Sequence, residues 1–232
     1  MTRPIYGLDI ETDNSSGNGL NPAMSTVASI ALVGSDGSAY FSRAAKAKHG
    51  EEELLDQFRA VLAYLPEDAI IATWNGGAFD FPFLTVRMEA NFLTVPWKLE
   101  DREDRTPKYE PTPPFKGVCR VTFKRKRTDH HDVAYSFDRS FCELAEVKWS
   151  LKPMLDHWGV TDPDVAALGT HATDASQASA PRLAAYNTHD AWGTLQLAAL
   201  ALHHVGPDNY KCALDSYRPD PLAGLDIPPT SS

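Results

Sequence analysis

Three short stretches of this chain hold acidic residues whose types and spacing can do chemistry. In "YGLDIETD" (6–13), Asp9 and Glu11 stand two apart. In "WNGGAFD" (74–80), Asp80 follows a run of turn formers. In "YNTHD" (186–190), Tyr186 and Asp190 stand four apart. Residues two apart on a strand point the same way, and residues four apart on a helix share a face. Carboxylates brought together repel one another unless a cation lies between them. Oxygen donors with no Cys or His at metal spacing favour a hard ion, Mg²⁺ or Mn²⁺. Two such ions about 3.5–4 Å apart can hold the attacking and leaving oxygens of an in-line phosphoryl displacement. Each stretch alone has a plainer use. An acid pair can end a strand, Asp80 can cap a helix, and Tyr186 with Asp190 can form an ordinary amphipathic face. Only the three in order make a specific pattern.

The elements around these stretches say where they would lie. Tyr6, Leu8 and Ile10 alternate with Gly7, Asp9 and Glu11, so the first strand turns its acids away from its apolar set. "STVASIALVG" and "SAYFSR" predict two more strands, joined by the tight turn "SDGS" and therefore antiparallel. Leu54, Leu55, Phe58, Val61, Leu62 and Leu65 recur at helical spacing within 51–65. "AIIATW" (69–74) is a short apolar strand of the central parallel kind. A helix follows over 79–91 with Pro82 in its first turn. "VCRVTF" and "DHHDVAYSF" predict strands, "SFCELAEVKW" and "SLKPMLDHWGV" short helices, and 181–204 a long helix. Thr161 to Ala180 is loop-like, and the proline-rich tail after Tyr217 is expected to be loose. Three strands on short turns, followed by alternating helix and strand, predict a mixed sheet with helices on both faces. Sites in such sheets gather at the carboxyl ends of strands, where Asp9, Glu11 and Asp80 would meet.

The chain has 232 residues, enough for one sizeable core, with 43% hydrophobic and 23% charged residues. The expected organisation is one domain over 1–205, interrupted by an insertion at about 100–128, and an extension over 206–232. The insertion is marked by "EDREDRTPKYEPTPPFK", which mixes charge with proline and has no period. A net charge of −9 speaks against a broad basic face for duplex DNA, though not against a groove for a few nucleotides. Cys119, Cys142 and Cys212 match no zinc spacing and are expected as free thiols. No apolar run approaches a membrane span, and acids interrupt any secretory leader at the N-terminus. A cytoplasmic, soluble protein is the expectation.

As an ordered set, "LDIETD", "WNGGAFDFPFL" and "YNTHD" resemble the DEDD superfamily of 3′–5′ exonucleases, in its tyrosine-bearing (DEDDy) branch. The histidine branch would need His five residues before Asp190, where Ala185 stands. The wording is similar to the proofreading domain of family B DNA polymerases and its stand-alone relatives, and "HHDVAYSF" and "LKPMLDHWGV" add to the likeness. It covers roughly Ile5 to Leu202; the Glu100–Arg127 region matches nothing in the family. The resemblance implies an RNase H-like α/β fold: a mixed five-stranded sheet, its first three strands antiparallel, flanked by helices. It also implies two divalent cations, Mg²⁺ or Mn²⁺. Asp9 would bridge both. Glu11 and Asp190 would complete the site of the ion that activates water. Asp80 would hold the second, and Tyr186 would orient the water. The implied substrate is the 3′ end of single-stranded or frayed DNA, releasing nucleoside 5′-monophosphates. The implied partner is a polymerase or repair factor in trans.

Smaller features carry balanced readings. In the family, the positions of Asn75 and Phe79 hold the terminal nucleotide, and the neighbourhood of Thr12 contacts its sugar. Phe79 serves core packing equally well, and Thr12 is also an ordinary β-branched strand residue. "KRKR" (124–127) can track phosphates or form a solvated turn, and "HHD" (130–132) is a poor metal motif beside the carboxylates. Two rival functions remain: RNA 3′-end trimming of the ribonuclease D type, and a nucleic-acid-binding module without catalysis. Competent residues at all five catalytic positions oppose the second.

Overall fold

The computed structural model describes residues 3–13, 20–102, 112, 114–125, 127–137, 142, 145–160 and 180–203. Its centre is a five-stranded mixed sheet in the order β3-β2-β1-β4-β7. The strands are β1 (Ile5–Thr12), β2 (Val27–Gly34), β3 (Ala39–Arg43), β4 (Ile70–Thr73) and β7 (Asp129–Asp132). β1, β2 and β3 are antiparallel neighbours, whereas β4 runs parallel to both β1 and β7. This is the expected RNase H-like α/β arrangement. β5 (Trp97–Arg102) and β6 (Val118–Phe123) form a separate antiparallel pair. That pair occupies the region expected as an insertion and starts earlier, at Trp97.

Strand parity divides the core. Tyr6, Leu8 and Ile10 pack on one face against α1 (Gly50–Tyr64) and α2 (Asp80–Ala90), through Leu54, Phe58, Phe81 and Met88. Ile5, Ala31 and Ala72 pack on the other against α3 (Leu151–His157) and α4 (Ala180–His203), through Leu155, Ala191 and Leu195. Helix α1 forms because its apolar residues recur on one stripe, and Leu54, Leu55, Phe58 and Leu62 are all buried. The described cysteines, Cys119 and Cys142, are buried free thiols.

Three expectations change. "DHHDVAYSF" is strand only to Asp132, because its partner β4 ends at Thr73, opposite Asp132; the chain then tightens into a 3₁₀ turn over Val133–Tyr135. Of the helix expected over "SFCELAEVKW" (140–149), residues 140, 141, 143 and 144 lie outside the described residues, Cys142 is helical, and 145–149 is turn, irregular chain and bend. Of the run 124–127, exposed Lys124 and Arg127 lie in bend and turn, as a solvated turn would have them, whereas Arg125 is drawn inward. Arg125 donates to the carbonyls of Leu62 and Leu65 at 2.7 and 2.9 Å, closing the C-terminus of α1. Lys124 donates to the Val95 carbonyl at 2.6 Å, and Arg127 faces Asp68 at 3.7 Å. Lys126, the loop 161–179 and the tail from 204 lie outside the described residues.

Gly7 shares the acid face of β1, and there α4 lies directly on the strand. A Cβ at Gly7 would stand 2.0 Å from the Ala191 carbonyl oxygen and 2.8 Å from the Leu195 nitrogen. Both are backbone atoms, so relief requires the helix itself to move. Gly7→Ala is expected to destabilise the fold by about 1–3 kcal/mol or more. It should also weaken metal binding, because Asp190 precedes Ala191. Urea unfolding and a metal titration of the same variant check both effects.

Candidate active site

Asp9 and Glu11 project from β1 toward α4. β1 pairs with β4 only over Ile5–Gly7, so its later residues have one edge free. The β1–β2 register also shifts between Glu11 and Thr12, a local bend of the kind that re-aims side chains. From α4, Asp190 comes down onto the pair. One carboxylate oxygen from each of Asp9, Glu11 and Asp190 lies within 4.8 Å of the others. Asp80 stands outside this trio, buried at the first position of α2. Phe79 is the residue that caps that helix, so the plain capping use of Asp80 does not apply. Instead the Asp80 carboxylate accepts the backbone N–H groups of Ile10 and of Asp80 itself.

The electrostatics follow from burial and crowding. Desolvation, then the charges of Asp190, Glu11 and Asp80, hold the Asp9 carboxyl well above its ordinary range. Burial and Asp190 push Glu11 up to about 8, partly opposed by the Lys152 ammonium. Burial pushes Asp80 up to about 7. Tyr186 is raised by burial and by the neighbouring carboxylates, so its phenol stays protonated at neutral pH.

Four residues at this site were missed by reading the sequence. Asn187 donates to Asp9 Oδ2 at 2.6 Å. Ser29 on β2 donates to Asn187 Oδ1 at 3.2 Å, so α4 is tied to two strands. Lys152 on α3 donates to the Tyr186 hydroxyl, lies 4.2 Å from the centre of its ring, and stands 3.9 Å from Asp190 Oδ2. Asp132 accepts the backbone N–H groups of Asn75 and Gly77, both at 2.9 Å. No local pattern marks such partners; Asn187 and Asp9 are 178 residues apart.

The remaining expected residues are spread around this centre. Asn75 is buried in the turn after β4, with its Oδ1 accepting the Tyr135 hydroxyl at 3.3 Å. Phe79 is half-buried, 5.6 Å from the Phe83 ring, and packs against the larger core. Thr12 is half-buried at the end of β1. His189, next to Asp190 in the chain, is buried with its Nδ1 3.5 Å from Asp190 Oδ1. Among the described residues the "HHD" run joins no metal-ligating group: half-buried His130 is bonded to Thr73, half-buried His131 to Ser136, and Asp132 to backbone.

This is a carboxylate cluster at the carboxyl end of a central strand, in a mixed α/β sheet. The sequence pattern of the RNase H superfamily matches residues 7–148, more than half of the chain, and the chain belongs to that superfamily. Its fold is similar to that of the family B DNA polymerase from the hyperthermophilic archaeon Pyrobaculum calidifontis, with a TM-score of 0.60 and 19% identity. That similarity covers 96% of this chain and 27% of the polymerase chain, so this chain spans about a quarter of that protein. At this identity the likeness describes the fold. No curated protein matches the sequence. Among the described residues, no helix is long and apolar enough to cross a membrane.

The donor set fits a divalent cation. The trio offers only hard oxygen ligands. Asp190 Oδ1 is buried without a hydrogen bond, a group that a cation would satisfy.

The same crowding makes stability depend on pH. Glu11 and Asp80 have ordinary values of 4.5 and 3.8 and are raised to about 8 and about 7 when folded. Between those limits the folded chain holds protons that the unfolded chain has released, so stability falls as pH rises. The melting temperature of chelator-treated protein is expected to drop from pH 5 to pH 8. At pH 8, Mn²⁺ at a hundred times its Kd should restore about 5–10 °C. Differential scanning calorimetry with and without the ion checks both signs.

Proposed function

We propose that this chain is a metal-dependent 3′–5′ exonuclease of the tyrosine-bearing DEDD branch. It takes nucleoside 5′-monophosphates from the 3′ end of single-stranded or frayed DNA. The observation that carries this reading is the meeting of Asp9, Glu11 and Asp190, with the Tyr186 hydroxyl and Lys152 ammonium beside them. Asp9, Glu11, Asp80 and Asp190 would hold two divalent cations, Mg²⁺ or Mn²⁺. Such ions supply charge stabilisation to the attacking and leaving oxygens.

The chain's own groups do the rest. Tyr186 keeps its proton, so its hydroxyl can orient an attacking water and cannot act as the base. Lys152 fixes that hydroxyl and places positive charge where negative charge grows on the phosphate. Asn187 holds the Asp9 carboxylate in one rotamer. Asn75 and Phe79 border Asp80 and would hold the terminal nucleotide, the ring by stacking; Thr12 would meet its sugar. A polymerase or repair factor in trans would make this a proofreading activity.

The decisive assay uses 5′-labelled single-stranded DNA and RNA of equal sequence with Mg²⁺ or Mn²⁺. DNA is expected to shorten stepwise from its 3′ end, with 5′-monophosphate products and complete loss in chelator. Release of 3′-monophosphates, or cuts in a circular single strand, would overturn the reading. Preference for RNA would move it to the trimming class.

Two variants rank the residues. Asp9→Asn keeps the shape of the site but removes its central charge, so near-total loss of single-turnover rate and loss of metal binding are expected. Tyr186→Phe leaves every carboxylate in place. It should lose rate toward the lower end of about 10²–10⁴-fold and still bind metal by calorimetry.

A further inference from the structure

We propose that Asp132 is a positioning residue for Asp80 and Asn75, clamping the turn that carries them, and that Tyr135 sets which end of the Asn75 amide faces the substrate. The proposal rests on the nuclease reading of the site and concerns residues that this reading leaves without a task.

Asp132 ends β7 and stands opposite Thr73, the last residue of β4, in parallel register. Both strands therefore finish at the same end of the sheet. Beyond Thr73 the chain reverses through Asn75, whose φ of 64° is left-handed, a conformation that Asn tolerates better than most residues. Asp132 Oδ1 accepts the Asn75 N–H and Oδ2 accepts the Gly77 N–H, each at 2.9 Å. One carboxylate thus spans two backbone donors through charge-assisted bonds, the stronger kind. The approach leaves no room for a side chain. A Cβ at Gly77 would lie 2.7 Å from the Cys119 carbonyl oxygen and 3.1 Å from Asp132 Oδ2.

The clamped turn transmits its position directly. The Asn75 carbonyl accepts the Phe79 N–H at 3.1 Å, and the Gly76 carbonyl accepts the Phe81 N–H at 3.0 Å. Asp80 lies between those two anchored residues. On the other side, the Tyr135 hydroxyl donates to Asn75 Oδ1. That contact leaves the Asn75 NH₂ as the end offered to an acceptor such as a phosphate oxygen or a base carbonyl.

The test uses the full chain, Mn²⁺ and a single-stranded DNA, with Asp132→Asn and Tyr135→Phe. Asp132→Asn turns one acceptor into a donor facing a backbone N–H. It is expected to lose hydrogen-exchange protection at Asn75 and Gly77, and to lower Mn²⁺ affinity and kcat about 10- to 100-fold. Tyr135→Phe keeps the clamp, so it should leave Mn²⁺ affinity in place and raise KM about fivefold, more than it lowers kcat. A folded Asp132→Asn protein with wild-type exchange at those two amides and wild-type Mn²⁺ affinity overturns the clamp. An unchanged KM in Tyr135→Phe overturns the role given to Tyr135. If Asp132→Asn does not fold, Asp132→Glu, which displaces the carboxylate by one methylene, takes its place with the same two readouts: loss of protection at Asn75 and Gly77 together with lower Mn²⁺ affinity supports the clamp, and loss of protection with wild-type Mn²⁺ affinity overturns it. Wild-type protein that cleaves no nucleic acid sinks the nuclease reading; exchange and Mn²⁺ titration then still decide the clamp.

Discussion

Helix α4 rests on β1 with no side chain between their backbones at Gly7, and the geometry of the acid cluster follows from that contact. A helix normally stands off a sheet by the side chains of both. Here a Cβ would meet the Ala191 carbonyl at 2.0 Å, so the spacer is gone. Asn187 and Ala191 are one helical turn apart and share a face. The contact that seats Ala191 on Gly7 therefore brings Asn187 within 2.6 Å of Asp9, and Asp190 into the trio. Tyr186, one turn before Asp190, then reaches Lys152. A single absent methyl sets the depth at which three polar groups of α4, those of Tyr186, Asn187 and Asp190, arrive.

The cluster so formed opposes folding in the absence of a cation. Asp9, Glu11 and Asp80 are all held above the ordinary carboxylate range by burial and by one another. Lys152, the nearby cation that does enter, sits on an exposed side chain and only partly offsets Glu11. The cost is carried by the two apolar cores on either side of the sheet, which do not depend on the acids. Sites of this kind are where stability is commonly given up for chemistry. Asp190 Oδ1 belongs to the same account: it is buried without a hydrogen bond, 3.5 Å from His189 Nδ1, and a cation would satisfy it.

The region between the two halves of the site also has a supporting place in the fold. The N–H of Cys119 on β6 donates to the Gly77 carbonyl at 2.7 Å, so the β5–β6 pair braces the turn that Asp132 holds from β7. Trp97 of β5 and Phe123 of β6 pack edge-on against Phe81 at the start of α2. Arg125, just past β6, closes the end of α1. The β5–β6 region thus links α1 and α2 to the turn that carries Asp80.

Much of the fold was legible because periodicity is a local property. The alternation in Ile5–Ile10 gave both the strand and the side on which Asp9 and Glu11 lie, and the stripe of Leu54, Leu55 and Phe58 gave α1. The spacing of Tyr186 and Asp190 placed them on one helix face without any structure. Where local pattern stops, so did the reading. "DHHDVAYSF" looks like one strand, but its length is set by β4, which ends at Thr73. "KRKR" looks like a surface charge run, but Arg125 answers carbonyls about 60 residues away. The sequence by itself determined which carboxylates and which phenol share a strand side or a helix face, because those periods are fixed by residue type and spacing. Tertiary structure alone decided their protonation and their partners, Asn187, Ser29, Lys152 and Asp132. Desolvation, charge crowding and hydrogen bonds between distant segments exist only once α4 has closed on β1.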